Sequence, residues 1–365
     1  MIRPAPQIAA IPATTPFIGP EQLMREHGLG ALVRLGANES AFGPSPRALE
    51  AMRVELERLS WYGDPESYEL RTALARKHGC RIEEIVVGSG IDELMGLVVR
   101  AFVAPGGAAL TTRGSYPTYN YHVAGYGGRL VYASYRDDGH IDPDALIATA
   151  RAERPTLVYL ANPDNPSGTF IARDAMARFI DALPDDALVL LDEAYADFVD
   201  ESVLLPPAID ERVIRTRTFS KAYGLAGARI GYAIASETHV QTLQKIRLHY
   251  GVNRNAQIAA LASLEDEAFR THVVREVETA RDAYYALARE LGLGYLESYT
   301  NFVCIDLGSA DRATRVMNEL LKRGVWIRKP GAAPLDRYVR VSAGTAPMRE
   351  AFAAALRAVL DEVPA

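Results

Sequence analysis

Lys221 is the residue of this chain best placed to do covalent chemistry, because its neighbours are unusual for a surface lysine. Thr218 and Ser220 precede it, and a glycine-rich turn leads from it to Arg229. A lysine that is held away from water and flanked by positive charge can form a Schiff base with a carbonyl group. Hydroxyl and guanidinium donors suit a phosphate group nearby. The segment therefore predicts a reactive lysine beside a phosphate site, although a lysine taken singly is most often a solvated surface residue.

A carboxylate, Asp192, ends the apolar run 188–191, and Tyr195 follows three residues later. A carboxylate in this place can pair with a protonated ring nitrogen of a bound cofactor and keep that ring an electron sink. Tyr195 would then donate a hydrogen bond to the phenolate oxygen of the ring. The simpler alternative is an acid that caps the helix that follows.

An asparagine-containing turn, residues 161–168, follows the predicted strand 156–160 and includes Asn165. Its composition alone indicates only a turn, because Asn, Pro, Asp and Gly are the usual turn-forming residues. Ligands of open α/β sheets bind where parallel strands end, however, and this turn lies at such an end. We therefore expect Asn165 to donate an amide hydrogen bond to the same ring oxygen as Tyr195.

A second turn, residues 88–93, joins a short strand to a strongly apolar helix and includes Gly90, Ile91 and Asp92. It is neither a dinucleotide-binding fingerprint nor a P-loop, because the later glycine or the Gly-Lys-Ser/Thr group is missing. What remains is the start of a helix, whose free N–H groups and dipole favour a phosphate.

The elements that must position these residues alternate between helix and strand from about residue 65 onward, which is typical of parallel βαβ units. Their apolar and β-branched strands suit a sheet that is covered on both faces. The predicted fold class is therefore α/β, with a mostly parallel central sheet flanked by helices. The predicted strands are 85–87, 108–111, 129–133, 156–160, 187–191, 213–218 and 229–235, and the predicted helices include 66–78, 92–102 and 173–182.

The C-terminal part of the chain has a different texture and predicts a smaller α+β unit. A long helical stretch near residues 260–291 precedes it. We therefore predict an N-terminal arm that joins the small domain (1–45), a large cofactor-binding domain (46–265) and a small C-terminal domain (266–365). The strands predicted for this unit are 302–307, 325–328 and 338–342, and its helices are 311–323 and 347–360.

The N-terminal residues 4–20 are uncharged and are interrupted by five prolines. They lack the apolar run and the cleavage site of a secretory signal. We predict an extended arm that lies on a surface, without specifying which, although a loose terminus fits the composition equally well.

The composition limits the possible classes of function. The chain has 365 residues, of which 48% are hydrophobic and 24% are charged, and a net charge of −6 without blocks of like sign. This balance argues against nucleic acid or an anionic membrane as the main partner. Cys80 and Cys304, the two cysteines, support neither a disulfide framework nor a cysteine-based zinc site. We therefore expect a small-molecule enzyme of the cytoplasm that uses no metal.

Taken in chain order, the motifs resemble the site of a fold-type-I, class I/II aminotransferase, an enzyme that depends on pyridoxal 5'-phosphate (PLP). The resemblance extends over nearly the whole chain, and it is greatest to the histidinol-phosphate aminotransferase branch of that family. The residues that carry it are 37–39 and 43–46 near the start, 88–93, Tyr119, 165–168, 192–195 and 220–229 in the middle, and 338–345 near the end.

The resemblance implies a role toward PLP for each of these residues. Lys221 would hold the cofactor as a Schiff base, Asp192 would pair with the ring nitrogen, and Tyr119 would stack on the ring face. Asn165 and Tyr195 would bind the ring oxygen. The residues that would surround the phosphate are Gly90, Ile91, Asp92, Thr218, Ser220 and Arg229.

The resemblance also implies a homodimer with shared active sites, in which Tyr62 would reach the phosphate of the cofactor in the neighbouring subunit. Arg340 would bind the substrate carboxylate, for which a bidentate guanidinium is well shaped. Arg328 matches the place where this branch handles a substrate phosphate or side chain, and Asn38 is assigned to the substrate as well.

The implied reaction is transfer of an amino group from histidinol phosphate to a 2-oxo acid such as 2-oxoglutarate. Lys221, displaced by the donor, would take the Cα proton and return it, with ping-pong kinetics as the consequence. Two alternatives stay open: an aromatic amino acid, phenylalanine or tyrosine, as the donor, and decarboxylation of a phosphorylated amino acid on the same fold. A transcription regulator built on this fold would need a DNA-binding module, for which the chain has no spare length.

Overall fold

The fold was obtained as a computed structural model, which describes residues 2–12, 17–206 and 210–363. The helices are α1 (Pro6–Ala9), α2 (Pro20–His27), α3 (Pro46–Glu55), α4 (Tyr68–His78), α5 (Ile91–Phe102), α6 (Pro117–Gly125), α7 (Pro143–Glu153), α8 (Arg173–Ala182), α9 (Glu237–Gln244), α10 (Arg254–Leu264), α11 (Glu267–Glu290), α12 (Ala310–Lys322) and α13 (Ala346–Glu362). The strands are β1 (Val33–Arg34), β2 (Ile85–Gly88), β3 (Ala108–Thr112), β4 (Arg129–Ala133), β5 (Leu157–Ala161), β6 (Leu188–Asp192), β7 (Val213–Thr218), β8 (Gly231–Ile234), β9 (Gly294–Tyr295), β10 (Phe302–Asp306), β11 (Val325–Trp326) and β12 (Tyr338–Ser342).

The central sheet has seven strands in the order β2-β8-β7-β6-β5-β3-β4. Strand β8 runs antiparallel to both of its neighbours, and the other pairs are parallel. The predicted α/β fold with a mostly parallel sheet is therefore confirmed. Strands β5, β6 and β7 are buried at every residue, because helices cover both faces of the sheet, and this explains the apolar character of β5 and of β6 up to Asp192.

Two apolar clusters cover the two faces of this sheet. Val189 and Leu191 of β6 belong to one cluster, together with Phe179 of α8. Leu188 and Leu190 of the same strand belong to the other, which includes the buried side of α5. Successive residues of a strand point to opposite faces, so β6 is fixed from both sides and Asp192, at its end, has a defined direction.

Some predicted elements have different bounds, and the backbone gives the reason. Ser67 and Arg229 have left-handed backbones, with φ of 48° and 58°. Helix α4 and strand β8 therefore begin two residues later than predicted. The stretch 260–291 divides into α10 and α11, because Asp266 accepts a hydrogen bond from the Phe269 N–H and caps the second helix.

The smaller α+β unit combines both ends of the chain. Strand β10 pairs antiparallel with β9 and β12, and β1, from the N-terminal part, pairs parallel with β11. Leu35 is completely buried in the core of this unit, where it joins Val303, Val316 and Phe352. Within the described residues no helix is both long and apolar enough to cross a membrane.

The predicted domain bounds, 1–45, 46–265 and 266–365, stay a prediction. Helix α11 begins close to the second bound and packs on both cores: Val273 lies in a core of the large sheet, and Tyr284 lies in the core of the small unit. This helix therefore joins the two parts of the molecule.

An extended arm was predicted for residues 4–20, but the N-terminal segment is not extended throughout. Residues 6–9 form α1, which contacts α6, and Pro20 begins α2. Residues 13–16 of the predicted arm lie outside the described residues. The ring of Phe17 lies 6.2 Å from the ring of Tyr116, so this part of the segment lies over the large sheet's helices.

The loop after Lys221 requires a glycine at position 224. Gly224 has a φ of +69°, and a Cβ at this position would lie 2.1 Å from the carbonyl oxygen of Gly43. Only a residue without a side chain can adopt this conformation at this distance from another backbone. Gly227 differs, because its φ is not positive and no atom lies within 4 Å of its ideal Cβ.

We predict that Gly224→Ala lowers the free energy of unfolding by at least about 2 kcal/mol, because it combines a left-handed backbone with a backbone clash. Gly227→Ala is the matched control in the same loop and should change the value by less than about 0.5 kcal/mol. Urea unfolding measures both. Equal effects of the two substitutions would contradict the packing described here.

Candidate active site

The carboxyl ends of β5, β6 and β7 lie side by side and open into a cavity of about 780 Å³. Asp192, the last residue of β6, pairs with Ala161 of β5 and with Thr216 of β7. Most of the predicted site residues line this cavity, whereas Gly90, Tyr119 and Tyr62 do not. Those that line it are Asn38, Ile91, Asp92, Asn165, Asp192, Tyr195, Thr218, Ser220, Lys221, Arg229, Arg328 and Arg340.

Lys221 and Tyr195 meet at Asn38. The Lys221 Nζ donates a hydrogen bond to the backbone carbonyl of Asn38 at 3.0 Å and lies 5.5 Å from the centre of the Tyr195 ring. The Asn38 Nδ2 donates to the Tyr195 hydroxyl at 3.0 Å. The predicted lysine and tyrosine therefore lie together at one side of the cavity.

Lys329 also lines the cavity, and its Nζ donates to the carbonyl of Asp336.

The Asp192 carboxylate is 5% exposed and has only neutral hydrogen-bond donors. Its Oδ2 accepts from the Tyr159 hydroxyl at 2.9 Å, and its Oδ1 accepts from the N–H of Ala194 at 3.0 Å. Burial raises the pKa of Asp192 to about 6, against the hydrogen bond from Tyr159. A cationic group bound in the cavity would therefore stabilise this carboxylate.

Asn165 and Arg340 bind each other across the cavity. The Arg340 Nη1 donates to the Asn165 Oδ1 at 2.5 Å. Because the amide oxygen is used in this way, the amide nitrogen of Asn165 is the group left to donate to a ligand. The Nε of Arg340 is buried and has no hydrogen-bond partner among the described residues. A buried donor without a partner costs free energy.

The first turn of α5 and Arg229 lie side by side, as was predicted for a phosphate site. Gly90 has a φ of +84°, and a Cβ there would lie 2.5 Å from the Arg229 Nη2. Gly90 itself does not line the cavity. Because it has no side chain, it leaves room for the Arg229 guanidinium beside the start of the helix. The Arg229 Nη2 lies 3.3 Å from the Asp92 Oδ2, and the Thr218 hydroxyl donates to the Ser220 hydroxyl at 2.9 Å. Backbone N–H groups, hydroxyls and a guanidinium are the donors that phosphate prefers.

The predicted stacking role of Tyr119 is wrong. Its side chain is completely buried, and its ring stacks on the Tyr159 ring with the centres 4.8 Å apart. Tyr116 lines the cavity instead, and its hydroxyl donates to the Asp92 Oδ1 at 3.0 Å. Helix α6 begins at Pro117, so Tyr119, inside its first turn, points into the core, while Tyr116 stays at the mouth of the cavity.

Asn38, which was predicted to contact the substrate, has protein partners for its polar groups. Its N–H donates to the Ser342 hydroxyl at 2.9 Å, and that hydroxyl donates to the Asn38 Oδ1 at 3.1 Å. Its carbonyl accepts from the Asn301 Nδ2 at 3.0 Å as well as from Lys221. The structure therefore favours a role for Asn38 in positioning Lys221 and Tyr195 over contact with the substrate.

Arg328 lies where the N-terminal segment covers the cavity. Its Nη2 donates to the carbonyl of Ile18 at 2.7 Å, and its guanidinium lies over the rings of Trp326 and Phe17. Burial and the nearby Arg340 lower the pKa of Arg328. An anion bound by both guanidiniums would offset this cost.

Tyr62 lies outside the cavity of its own chain. Its side chain is 77% exposed, and its ring centre lies 4.5 Å from that of Tyr250. Its carbonyl accepts a hydrogen bond from the Arg254 Nη1 at 3.3 Å. A role for Tyr62 at an active site therefore depends on a second subunit.

Several residues that line the cavity were missed by the sequence analysis. For Tyr116 a usable signal exists, since the proline that follows it marks a helix start and leaves the preceding residue outside the helix. For Trp326 the signal is its place two residues before a predicted arginine, since alternate residues of a strand share a face. Nothing local distinguishes the others. The missed residues include Phe17, Tyr116, Asn120, Trp326 and Lys329.

Neither a metal cluster nor a reactive thiol accompanies this site in the described part of the chain. Residues 2–12, 17–206 and 210–363 contain no group of three or more His, Cys, Asp or Glu side chains that could hold a metal ion. The thiol of Cys304 is buried and donates to the carbonyl of Pro166 at 3.1 Å. Burial raises the pKa of Cys304 to about 12, so the thiolate form is scarce near neutral pH.

The chain belongs to the class I and II aminotransferases, whose family model matches residues 31–356. It is therefore a transaminase, and its α/β fold is that of the fold-type-I enzymes.

Similar proteins narrow the comparison within this family. The crystal structure of histidinol-phosphate aminotransferase from Sinorhizobium meliloti, in complex with PLP, matches with a TM-score of 0.96 and 42% identity, and covers 100% of this chain and 99% of that one. Histidinol-phosphate aminotransferase of Moorella thermoacetica is 35% identical over 348 residues, 93% of this chain and 88% of its own. Histidinol-phosphate aminotransferase 1 of Bacillus cereus is 32% identical over 360 residues, 98% of this chain and 96% of its own.

We predict that Asp192→Asn stabilises the ligand-free protein more at pH 8 than at pH 4. The pKa of about 6 in the folded protein exceeds the ordinary value of 3.8, so the unmodified protein loses stability as the pH rises between these values. Asparagine does not ionise, and the difference in unfolding free energy should move in its favour by roughly 2 to 3 kcal/mol. Urea unfolding at both pH values measures this shift. A difference that does not depend on pH would contradict the burial of the carboxylate.

Proposed function

We propose that this transaminase is a PLP-dependent histidinol-phosphate aminotransferase that passes the amino group to a 2-oxo acid such as 2-oxoglutarate. The observation that carries the proposal is a single cavity lined by Lys221, the buried Asp192 carboxylate and the Asn165–Arg340 pair. Relatives with that name match this chain over nearly its full length, which supports histidinol phosphate as the donor.

The donors and acceptors of the cavity fit PLP. Asp192, a buried acid with neutral partners, suits a protonated ring nitrogen. The amide nitrogen of Asn165 and the hydroxyl of Tyr195 suit the ring oxygen. Arg229 and the first N–H groups of α5, beside Asp92, suit the phosphate. When bound, PLP supplies an electron sink for the bond that breaks at the substrate Cα.

Lys221 is the residue that moves the proton in this proposal. Its Nζ would hold the cofactor until the amino donor displaces it. The freed amine would then take the proton from the substrate Cα and return it to the cofactor carbon. The hydrogen bond of 3.0 Å to the Asn38 carbonyl keeps this nitrogen at the cavity wall, beside the Tyr195 ring. Two half-reactions at one site give ping-pong kinetics.

Arg340 would bind a different anion in each half-reaction. Histidinol phosphate has a phosphate ester at the position where an amino acid has its carboxylate, and 2-oxoglutarate has a carboxylate there. Arg340 lines the cavity, and its guanidinium can donate to either anion. Arg328 pairs with Arg340 through the backbone, in an isolated antiparallel β-bridge. It adds a second guanidinium, which suits a doubly charged phosphate.

An aromatic amino acid is a second candidate donor, because the rings of Phe17, Tyr116 and Trp326 line the cavity. These rings would pack against a phenyl ring as well as against an imidazole. An amino acid brings only one carboxylate to the two guanidiniums, however, and would leave Arg328 without an anion. This difference in charge favours histidinol phosphate.

We propose further that the protein is a homodimer with shared active sites. An exposed apolar surface supports a second copy of the chain as the occupant, because large apolar side chains are rarely left exposed in such numbers. The contact between Tyr62 and Tyr250 joins its two parts. Its members are Leu49, Val54, Leu56, Leu59, Trp61, Tyr62, Tyr68, Leu248 and Tyr250.

A panel of amino donors tests the proposed reaction. With 2-oxoglutarate as acceptor, histidinol phosphate should react at least about tenfold faster in kcat/KM than phenylalanine, tyrosine or histidine, because two guanidiniums bind its phosphate. Arg328→Gln should remove most of this preference and leave the rate with phenylalanine within about threefold. Reaction with the aromatic donors and none with histidinol phosphate would contradict the proposal. Release of carbon dioxide without any need for a 2-oxo acid would instead indicate a decarboxylase.

Mixing two inactive variants tests the shared site. In a mixed dimer of Lys221→Ala and Tyr62→Phe chains, one site has both Lys221 and the Tyr62 hydroxyl of its neighbour, and the other site has neither. We therefore expect activity to rise above the mean of the two variants after subunits exchange. Activity that equals this mean, with mixed dimers shown by native mass spectrometry, would contradict a contribution of Tyr62 to the neighbouring site.

A further inference from the structure

Directly after Asp192, Glu193 forms a buried ion triad with Arg215 and Arg217 of β7. The Arg215 Nη2 and Nε donate to the two carboxylate oxygens at 2.8 and 3.1 Å, and the Arg217 Nε donates to one of them at 2.9 Å. The side chains are 2%, 9% and 8% exposed, in that order. None of the three lines the cavity. Such buried charges are weak contributors to stability, since apolar residues often replace them without loss.

The triad surrounds Thr216 of β7, the residue that is paired with Asp192 in the sheet. The N–H of Glu193 donates to the carbonyl of Thr216 at 2.8 Å, and Asp192 is the register partner of the same residue. Arg215 and Arg217 lie on either side of Thr216. The Glu193 carboxylate therefore binds the two neighbours of its own backbone partner.

The two acids point to opposite faces of the sheet. Successive residues along a strand do so, and the contacts agree: Asp192 accepts from Tyr159 and lines the cavity, whereas Glu193 binds the arginines. A shift of β6 against β7 would move both acids together, because they are adjacent in the chain. Arg217 is followed directly by Thr218, the last residue of β7, and then by the segment that carries Lys221.

We infer that Glu193 is a positioning residue, which holds the carboxyl ends of β6 and β7 together and thereby fixes the Asp192 carboxylate relative to the Lys221 amine. The inference rests on the proposed function, since the distance between these two groups matters only if both act on one bound cofactor. Stability alone does not require the triad, whereas a fixed spacing between a carboxylate on one strand and an amine after the next strand does.

The groups around the triad keep its three side chains charged near neutral pH. His78 lies close to it, with its Nε2 at 2.8 Å from the Tyr232 hydroxyl, and burial lowers the pKa of His78 to about 3. Burial alone would raise the pKa of Glu193, but Arg215 and Arg217 hold it below its ordinary value. Asp197, the next acid, lies 3.7 Å from Arg270. The triad is therefore ionised and His78 is neutral near pH 7.

A triple variant, Glu193→Met, Arg215→Leu and Arg217→Met, separates positioning from stability. Because an apolar triad can replace a buried ionic one, we expect it to fold with an unfolding free energy close to that of the unmodified protein. Positioning predicts a dissociation constant for PLP raised by about tenfold or more, and a displaced midpoint in the pH titration of the absorbance of the lysine-bound cofactor. It also predicts a larger change in kcat than in KM. A folded triple variant with an unchanged midpoint and PLP affinity overturns the inference.

Arg217→Lys serves if the triple variant does not fold, because it keeps the charge and the Glu193–Arg215 pair. The midpoint of the pH titration should be displaced from that of the unmodified protein, and an unchanged midpoint overturns the inference. Exchange of the Glu193 amide hydrogen reports on its hydrogen bond to Thr216 and can be measured without PLP. We expect this exchange to be faster in each variant that folds. Unchanged exchange also overturns the inference. Failure of the unmodified protein to bind PLP would contradict the proposed function alone, since the exchange measurement does not depend on it.

Discussion

The site depends on Asn38, which connects the two parts of the molecule through its backbone and its side chain. Its carbonyl accepts from Lys221, which follows the central sheet, and from Asn301, which precedes β10 of the small unit. Its amide group binds Tyr195 on one side and Ser342 on the other. The left-handed backbone, with a φ of 54°, turns these groups in different directions. Lys221 and Tyr195 therefore have their observed positions only when the small unit is in place.

The cavity contains polar groups whose partners within the protein are incomplete, and these groups define its chemistry. The buried Asp192 carboxylate has neutral donors, the Nε of Arg340 has no partner among the described residues, and Arg328 is close to another guanidinium. Each arrangement costs stability in the absence of a ligand. A cofactor with a cationic ring nitrogen and a substrate with an anionic group would together relieve the costs at Asp192 and Arg328. Stability given up at a binding site in this way is common in enzymes.

Residues at the ends of strands were predictable from the sequence, and residues positioned by distant contacts were not. Asp192 ends an apolar run, Asn165 and Lys221 follow predicted strands, and parallel strands bring such ends to one edge of a sheet whatever the rest of the fold does. Tyr119 was misplaced because its direction depends on the start of α6 at Pro117, and the sequence analysis gave no bounds for this helix. The role of Asn38 rests on bonds to residues about 160 to 300 positions away, for which a local pattern has no signal. Glu193 was overlooked because a strand pattern does not show which acid faces the cavity.

The lysine that carries the cofactor can be identified by a direct measurement. There are five lysines, Lys77, Lys221, Lys245, Lys322 and Lys329, of which Lys221 and Lys329 line the cavity. After incubation with PLP, reduction with borohydride makes the bond between the cofactor and its lysine permanent, and peptide mass spectrometry then locates it. We expect one label per chain, on the peptide that contains Lys221, and we expect this label to be lost when histidinol phosphate is added before the reduction. A label on Lys329, on another lysine or on none would contradict it.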